Sequence, residues 1–160
     1  MSLESSAVHW LRFKRRALVI LLERWPLCSF ARPDVFAVTK RRETIEIEIK
    51  RSMGDFRANG RKHHVAFREA MLHQLPHFAF FLVPHDMADR VAAELPPWAG
   101  LMIAERDGYD LEVLVRAPRN DKARRLSLLQ VCRLGLLMGA QLYGHIPPGP
   151  RHPVEADYEI

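Results

Sequence analysis

Six residues, Ile45-Glu46-Ile47-Glu48-Ile49-Lys50, constrain the fold of this chain more than any other stretch. Isoleucine alternating with charge has a period of two, which a strand satisfies because its successive side chains leave on opposite faces. Ile45, Ile47 and Ile49 must therefore enter a core, while Glu46, Glu48 and Lys50 point the other way. A second apolar run, Val35-Phe36-Ala37-Val38, precedes this one, and residues 39–43 between them suit a hairpin turn. A hairpin symmetric about Arg41 sets Asp34 opposite Glu48, with Cβ atoms roughly 5 Å apart. Val35 and Ala37 then join the three isoleucines on the apolar face. A slip of one residue would bury Asp34 among those isoleucines, so the register is strongly specified.

Two carboxylates at that separation repel, and without a cation one of them is driven towards its neutral form. A hard cation with oxygen ligands, Mg²⁺ or Mn²⁺, relieves the repulsion. A carboxylate pair beside a lysine is one way to hold a divalent metal and activate water against a phosphodiester. Lys50, one pleat beyond Glu48, is placed to orient or deprotonate that water and to offset charge developing on the phosphate. The same alternation also describes a strand with one solvated face, and Asp after Pro is common at turns.

Pro33-Asp34 followed by Glu48-Ile49-Lys50 resembles the signature of the PD-(D/E)XK nuclease superfamily. Within that superfamily, Arg32-Pro33-Asp34-Val35, Glu48-Ile49-Lys50, Asp55-Phe56-Arg57-Ala58-Asn59 and Lys62 are similar to the small MmcB-type DNA-repair proteins. Asn59 stands where that pattern carries a second acid. The resemblance implies a Mg²⁺-dependent DNA-cleaving fold, with Asp34 and Glu48 as metal ligands and Lys50 as base or stabiliser. The Ile49 carbonyl completes the expected metal set. The superfamily often adds an acid from its first helix, which directs attention to Glu4.

Residues 3–25 are expected to form one helix capped by Ser2, with Glu4 on the same stripe as Val8, Leu11, Leu18 and Leu22. An acid at the end of a core-facing stripe can reach the metal site. A first-turn glutamate is equally favoured by the helix dipole alone.

Length and a 48% apolar content fit a single domain over residues 1–145, followed by a proline-rich tail, 146–160, expected to be flexible. Cys28 and Cys132 are far apart and match no disulfide framework or zinc spacing, which suits a reducing cytoplasm. The apolar run 17–22 is too short to span a membrane. Charge is uneven: residues 1–70 carry a net +7 and residues 71–160 a net −2. Lys40, Arg41, Arg42, Arg51, Arg57, Arg61, Lys62 and His63 lie in the basic part and are the candidate DNA contacts, with Lys14-Arg15-Arg16 and Arg68 adding to the field. The remaining histidines lack metal-ligand spacing.

Downstream, 53–60 is expected as a glycine-interrupted loop, 61–75 as a helix, 77–83 as a buried strand and 86–95 as a short helix. Strands at 101–104 and 111–115 and a long last helix from a cap at Asp121 to about 143 complete an αββαβαββα chain. The fold class is therefore α/β, a mixed sheet with helices on its faces. The function that follows is a metal-dependent DNA endonuclease or nuclease-fold repair protein. The alternatives are a nucleic-acid-binding module with a weak or partner-dependent site, and an interaction protein dimerising through the apolar helix between Leu126 and Leu142. A repair protein or helicase is the kind of partner the first two would have.

Overall fold

The computed structural model of the protein describes residues 2–23, 32–59, 72–104 and 111–143. Helix α1 (Leu3–Phe13) is followed by strands β1 (Val19–Leu22), β2 (Val35–Val38) and β3 (Thr44–Ile49) and helix α2 (Met53–Asn59). Strand β4 (Phe78–Val83), helix α3 (Ala88–Ala93), strands β5 (Gly100–Ala104) and β6 (Leu111–Val115) and helix α4 (Leu128–Tyr143) complete the described elements. The strands form one mixed sheet in the order β1-β2-β3-β4-β5-β6. Pairs β1–β2, β2–β3 and β5–β6 are antiparallel, whereas β3–β4 and β4–β5 are parallel. The α/β class expected from the sequence is the one observed.

The β2–β3 register matches the parity argument. Val35 pairs with Ile47, Ala37 with Ile45 and Val38 with Thr44, a hairpin centred on Arg41. Extended by one pair, this register sets Asp34 across from Glu48. Val35, Ala37, Ile45, Ile47 and Ile49 share one core cluster with Phe80, Leu82 and Met102, closed by Ala7, Trp10 and Leu11 of α1. Trp10 meets Phe80 edge-on with ring centroids 6.1 Å apart. At Gly100, opposite Phe80, an added Cβ would lie 2.6 Å from both the Ala117 nitrogen and the Phe80 ring, so only glycine fits.

The other face of the sheet is divided. Val19, Leu21, Phe36 and Val38 pack with Leu126, Val131 and Leu134 at its β1–β2 side. Phe81, Val83, Leu101 and Ile103 pack with Phe56, Met87 and Val91 at its β4–β5 side. Between these two apolar clusters runs β3, which presents Glu46 and Glu48 there.

Three expectations are corrected. Residues 3–25 are not one helix: α1 ends at Phe13, Arg16 turns the chain with φ 50°, and Val19–Leu22 is an edge strand. Hydrogen bonding to β2 outweighs helical periodicity there, and Leu18, expected on the buried stripe, is exposed. Residues 53–59 are a helix rather than a loop. Ser52 Oγ accepts from the Asp55 amide at 3.1 Å and caps the helix, while Asp55 Oδ2 accepts from the Arg51 amide just ahead of it, and the two bonds offset the glycine at 54. The last helix starts at Leu128 rather than after Asp121. Ser127 and Gln130 cap it reciprocally, at 3.2 and 2.8 Å.

Helix α4 also closes the edge of the sheet. Gln141 accepts from the Leu22 amide at 3.2 Å and donates to the Leu22 carbonyl at 2.8 Å, satisfying backbone groups that an open edge strand would expose. Its outer side leaves Leu128, Leu129, Leu136 and Leu142 exposed. No helix among the described residues is long and apolar enough to cross a membrane. The expected helix 61–75 lies largely outside the described residues, with Leu72–Gln74 a 3₁₀ turn, and the tail 146–160 lies wholly outside them.

Candidate functional site

The site lies where β2 begins and β3 ends. Asp34 sits immediately before Val35, and its Oδ2 accepts from the Ile49 amide at 2.7 Å. That short bond fixes one carboxylate against the backbone joining Glu48 to Lys50. The Lys50 amide in turn donates to the Leu82 carbonyl at 3.0 Å, so the chain is held from both neighbouring strands as it leaves β3.

Lys50 is 3% exposed, an uncommon position for an ammonium group. It is tolerable only because acids surround it. Lys50 Nζ lies 3.1 Å from Glu48 Oε2 and 3.8 Å from Asp55 Oδ1. The lysine is therefore a fixed positive charge on the face shared with Glu46 and Glu48, between the two apolar clusters. Asp55 is a partner the candidate set lacked. Its signal was present in Ser52-Met53-Gly54-Asp55, the spacing of a helix cap, which would have placed Asp55 in the first turn of a helix directly after Lys50.

Glu4 does reach this end of β3, but through an ion pair with the Arg51 guanidinium. Partial burial opposes its ionisation. Hydrogen bonds from its own amide, Arg51 and Ser2, with the charge of Arg51, outweigh that, and the carboxyl titrates below the usual range. Among the described residues, no group of three or more His, Cys, Asp or Glu side chains is gathered closely enough to hold a metal ion.

The candidate DNA contacts are dispersed. Arg57 makes a two-pronged pair with Glu94, at 2.9 and 2.5 Å, and faces α3 rather than the acids. Lys40, Arg41 and Arg42 occupy the hairpin turn, at the opposite end of β2 and β3 from Asp34 and Glu48. All three are exposed, and Arg42 adopts φ 61° to close the turn. Arg61, Lys62, His63 and Arg68 lie outside the described residues.

His77 is a further buried titratable group, beside the start of β3. Its Nδ1 accepts from the Thr44 amide at 3.1 Å, which places the ring proton on Nε2. Nε2 is buried and has no partner among the described residues. Burial lowers the pKa of His77, with Arg119 and Arg125 acting in the same direction and Glu43 and Asp121 against it. A histidine whose folded pKa is depressed binds fewer protons folded than unfolded. Stability should therefore be full above about pH 6.5 and fall as the pH drops from there towards the lower folded value. Urea midpoints at several pH values should show this loss in the wild type, and the loss should shrink in His77→Gln.

No protein-family model matches this chain, and no curated protein matches it. A solved structure does: SPO1766, a protein of unknown function from Silicibacter pomeroyi, with 23% identity and a TM-score of 0.56 over 87% of this chain and 82% of that one. The likeness establishes a shared fold.

Proposed function

We propose that this protein is a metal-dependent phosphodiesterase acting on DNA, with Asp34, Glu48 and Lys50 as its catalytic group. One observation carries the reading: Asp34 is bonded to the Ile49 amide at 2.7 Å while buried Lys50 is held 3.1 Å from Glu48. Two carboxylates and an ammonium are thus carried by the neighbouring ends of β2 and β3, beside the charged seam of an otherwise apolar sheet face. A merely solvated face would not bury its lysine.

The residues fit the cation that this chemistry needs. Asp34, Glu48 and the Ile49 carbonyl would supply only oxygen donors, the type that Mg²⁺ and Mn²⁺ take. When bound, the ion would polarise the phosphate and lower the pKa of a water. The protein's own part is positioning and charge. Asp34 is anchored by a backbone amide, so its carboxylate does not have to be ordered when substrate arrives. Lys50 is fixed by Glu48 and Asp55, and its charge offsets the negative charge that develops on the phosphate oxygens during attack.

A second reading is favoured by a specific observation: Glu48 is already neutralised by Lys50, and Glu4 by Arg51. That arrangement suits a nucleic-acid-binding module whose cutting is weak or needs a partner. Supercoiled plasmid incubated with the protein and Mg²⁺ or Mn²⁺ separates the two. Nicking abolished by a chelator supports the enzyme. Salt-sensitive DNA binding without nicking supports the module. Neither binding nor nicking, with a salt-insensitive dimer, returns the protein to an interaction role through α4.

A further inference from the structure

We propose that the hollow between the end of α1 and the β2–β3 turn is a second site for a nucleic-acid backbone, separate from the acid–lysine cluster. The proposal rests on the reading that the protein acts on nucleic acid, and it adds where the polymer is held. The hollow has a volume of about 320 Å³ and is lined by Lys14, Arg15, Arg16, Thr39, Lys40, Arg41 and Glu43. Five cations converge on it from two segments distant in sequence.

Its single acid is already engaged. Glu43 is buried, and its Oε1 lies 3.2 Å from Arg119 Nη2, a cation that is not among the five. The cations are exposed, so they are not there to satisfy a core. Arg15 is nonetheless held in place, with its guanidinium 5.5 Å from the Trp10 ring and 5.8 Å from that of Phe78. Two sharp bends bring the groups together: Arg16 has φ 50° and Arg42 φ 61°, left-handed conformations that are costly for residues other than glycine. Like charges gathered this closely repel, and a phosphate between them removes the repulsion.

The distance to the other site decides what kind of polyanion fits. Asp34 precedes β2 and Thr39 follows it, a span of about 17 Å at roughly 3.3 Å per residue. A free phosphate or a nucleotide could not touch both ends. A nucleic-acid strand, with a phosphate every ~3.4 Å along the helix axis, covers that length of β2 in about five nucleotides and needs more to pass from the α1 face to the face of Glu48.

The test is duplex binding without divalent metal, so that cleavage does not enter. A fluorescein-labelled duplex of about 16 base pairs is titrated at several NaCl concentrations and followed by anisotropy. The variant Lys14→Gln, Arg16→Gln, Lys40→Gln, Arg41→Gln should reduce the salt slope by about 3 and weaken binding at least roughly tenfold near 100 mM salt. Arg15 is left in place because it also packs on Trp10 and Phe78. A second variant, Arg116→Gln, Arg124→Gln, Arg125→Gln, Arg133→Gln, removes the same charge elsewhere and should stay within about twofold of wild type. Unchanged binding by the first variant overturns the proposal, as does equal loss by both, which would report net charge alone. Binding of wild type to phosphatidylglycerol vesicles but not to the duplex also overturns it. Loss in the first variant alone supports the site even if the wild type never nicks DNA. Nicking with an unchanged salt slope would uphold the catalytic reading and reject this one.

Discussion

Lys50→Met should fold and bind DNA yet lose metal-dependent nicking by a factor on the order of 10² to 10⁴, the range that a positioned acid–base or charge-stabilising group contributes. Methionine fills most of the volume of the lysine stem in a position only 3% exposed, so the packing survives while the charge does not. Glu48 then loses its ammonium contact at 3.1 Å and Asp55 its contact at 3.8 Å. Removing one member of a buried pair takes charge compensation from the other, so the melting temperature should also fall, less than for a fully buried pair because Glu48 keeps some solvent. Lys50→Arg should not restore nicking, since a planar fork cannot replace a compact ammonium in a closed site. Asp34→Asn isolates the other half of the proposal. Its amide oxygen can still accept from the Ile49 amide, which preserves the hairpin, but the negative charge is gone. Circular dichroism would confirm the fold of each variant. Either one nicking plasmid at more than about a tenth of the wild-type rate would contradict the catalytic roles assigned to these residues.

Ile47→Ala should cost about 2–5 kcal/mol of stability, the range for truncating a large buried aliphatic side chain. Ile47 is fully buried, lies at the centre of β3, and packs in the cluster that joins β2, β4 and α1. The cavity it leaves cannot collapse easily, because strands pair on both sides of it at Val35 and Phe80. For a chain of this size each kcal/mol shifts the melting temperature by roughly 2–4 °C, so a drop of about 4–20 °C is expected. Its neighbour Glu46 provides the contrast. Glu46→Gln should move the melting temperature much less, because its side chain is only partly buried and points to the seam rather than the core. Calorimetry on the two variants tests the parity of β3 directly. Similar losses for both would mean that the strand's two faces are not the ones described.

The hairpin was legible because its information is local. Alternation in Ile45–Lys50 fixes the faces, and the length of the 39–43 loop fixes the register, with no help from distant residues. The parallel strand at Phe78–Val83 was legible for a related reason, since six apolar residues between breakers fit a strand buried on both faces. The N-terminal region was not. Val19-Ile20-Leu21-Leu22 is short and apolar, and periodicity cannot separate a helical continuation from an edge strand at that length. What decides it is the unpaired edge of β2, which offers hydrogen bonds from Val19 to Leu22, and Gln141, which closes the far side. Helix α2 was missed for a different reason: Gly54 argued for a loop, while the Ser52–Asp55 cap argued more strongly for a helix.

The candidate site divides along the same line. Which face Asp34, Glu48 and Lys50 share follows from the amino-acid order, since a strand has no freedom to place alternate residues otherwise. How deeply the lysine is sunk, which carboxylates touch it, and that Arg51 and Arg57 are held by Glu4 and Glu94 depended on how α1, α2 and α3 pack against the sheet. The one-dimensional charge count likewise merged into a single basic half two groups of cations that the strands hold at opposite ends of the hairpin. Side-chain direction is a property of the local backbone, whereas burial and partners are properties of packing, and packing is set by contacts between segments tens of residues apart.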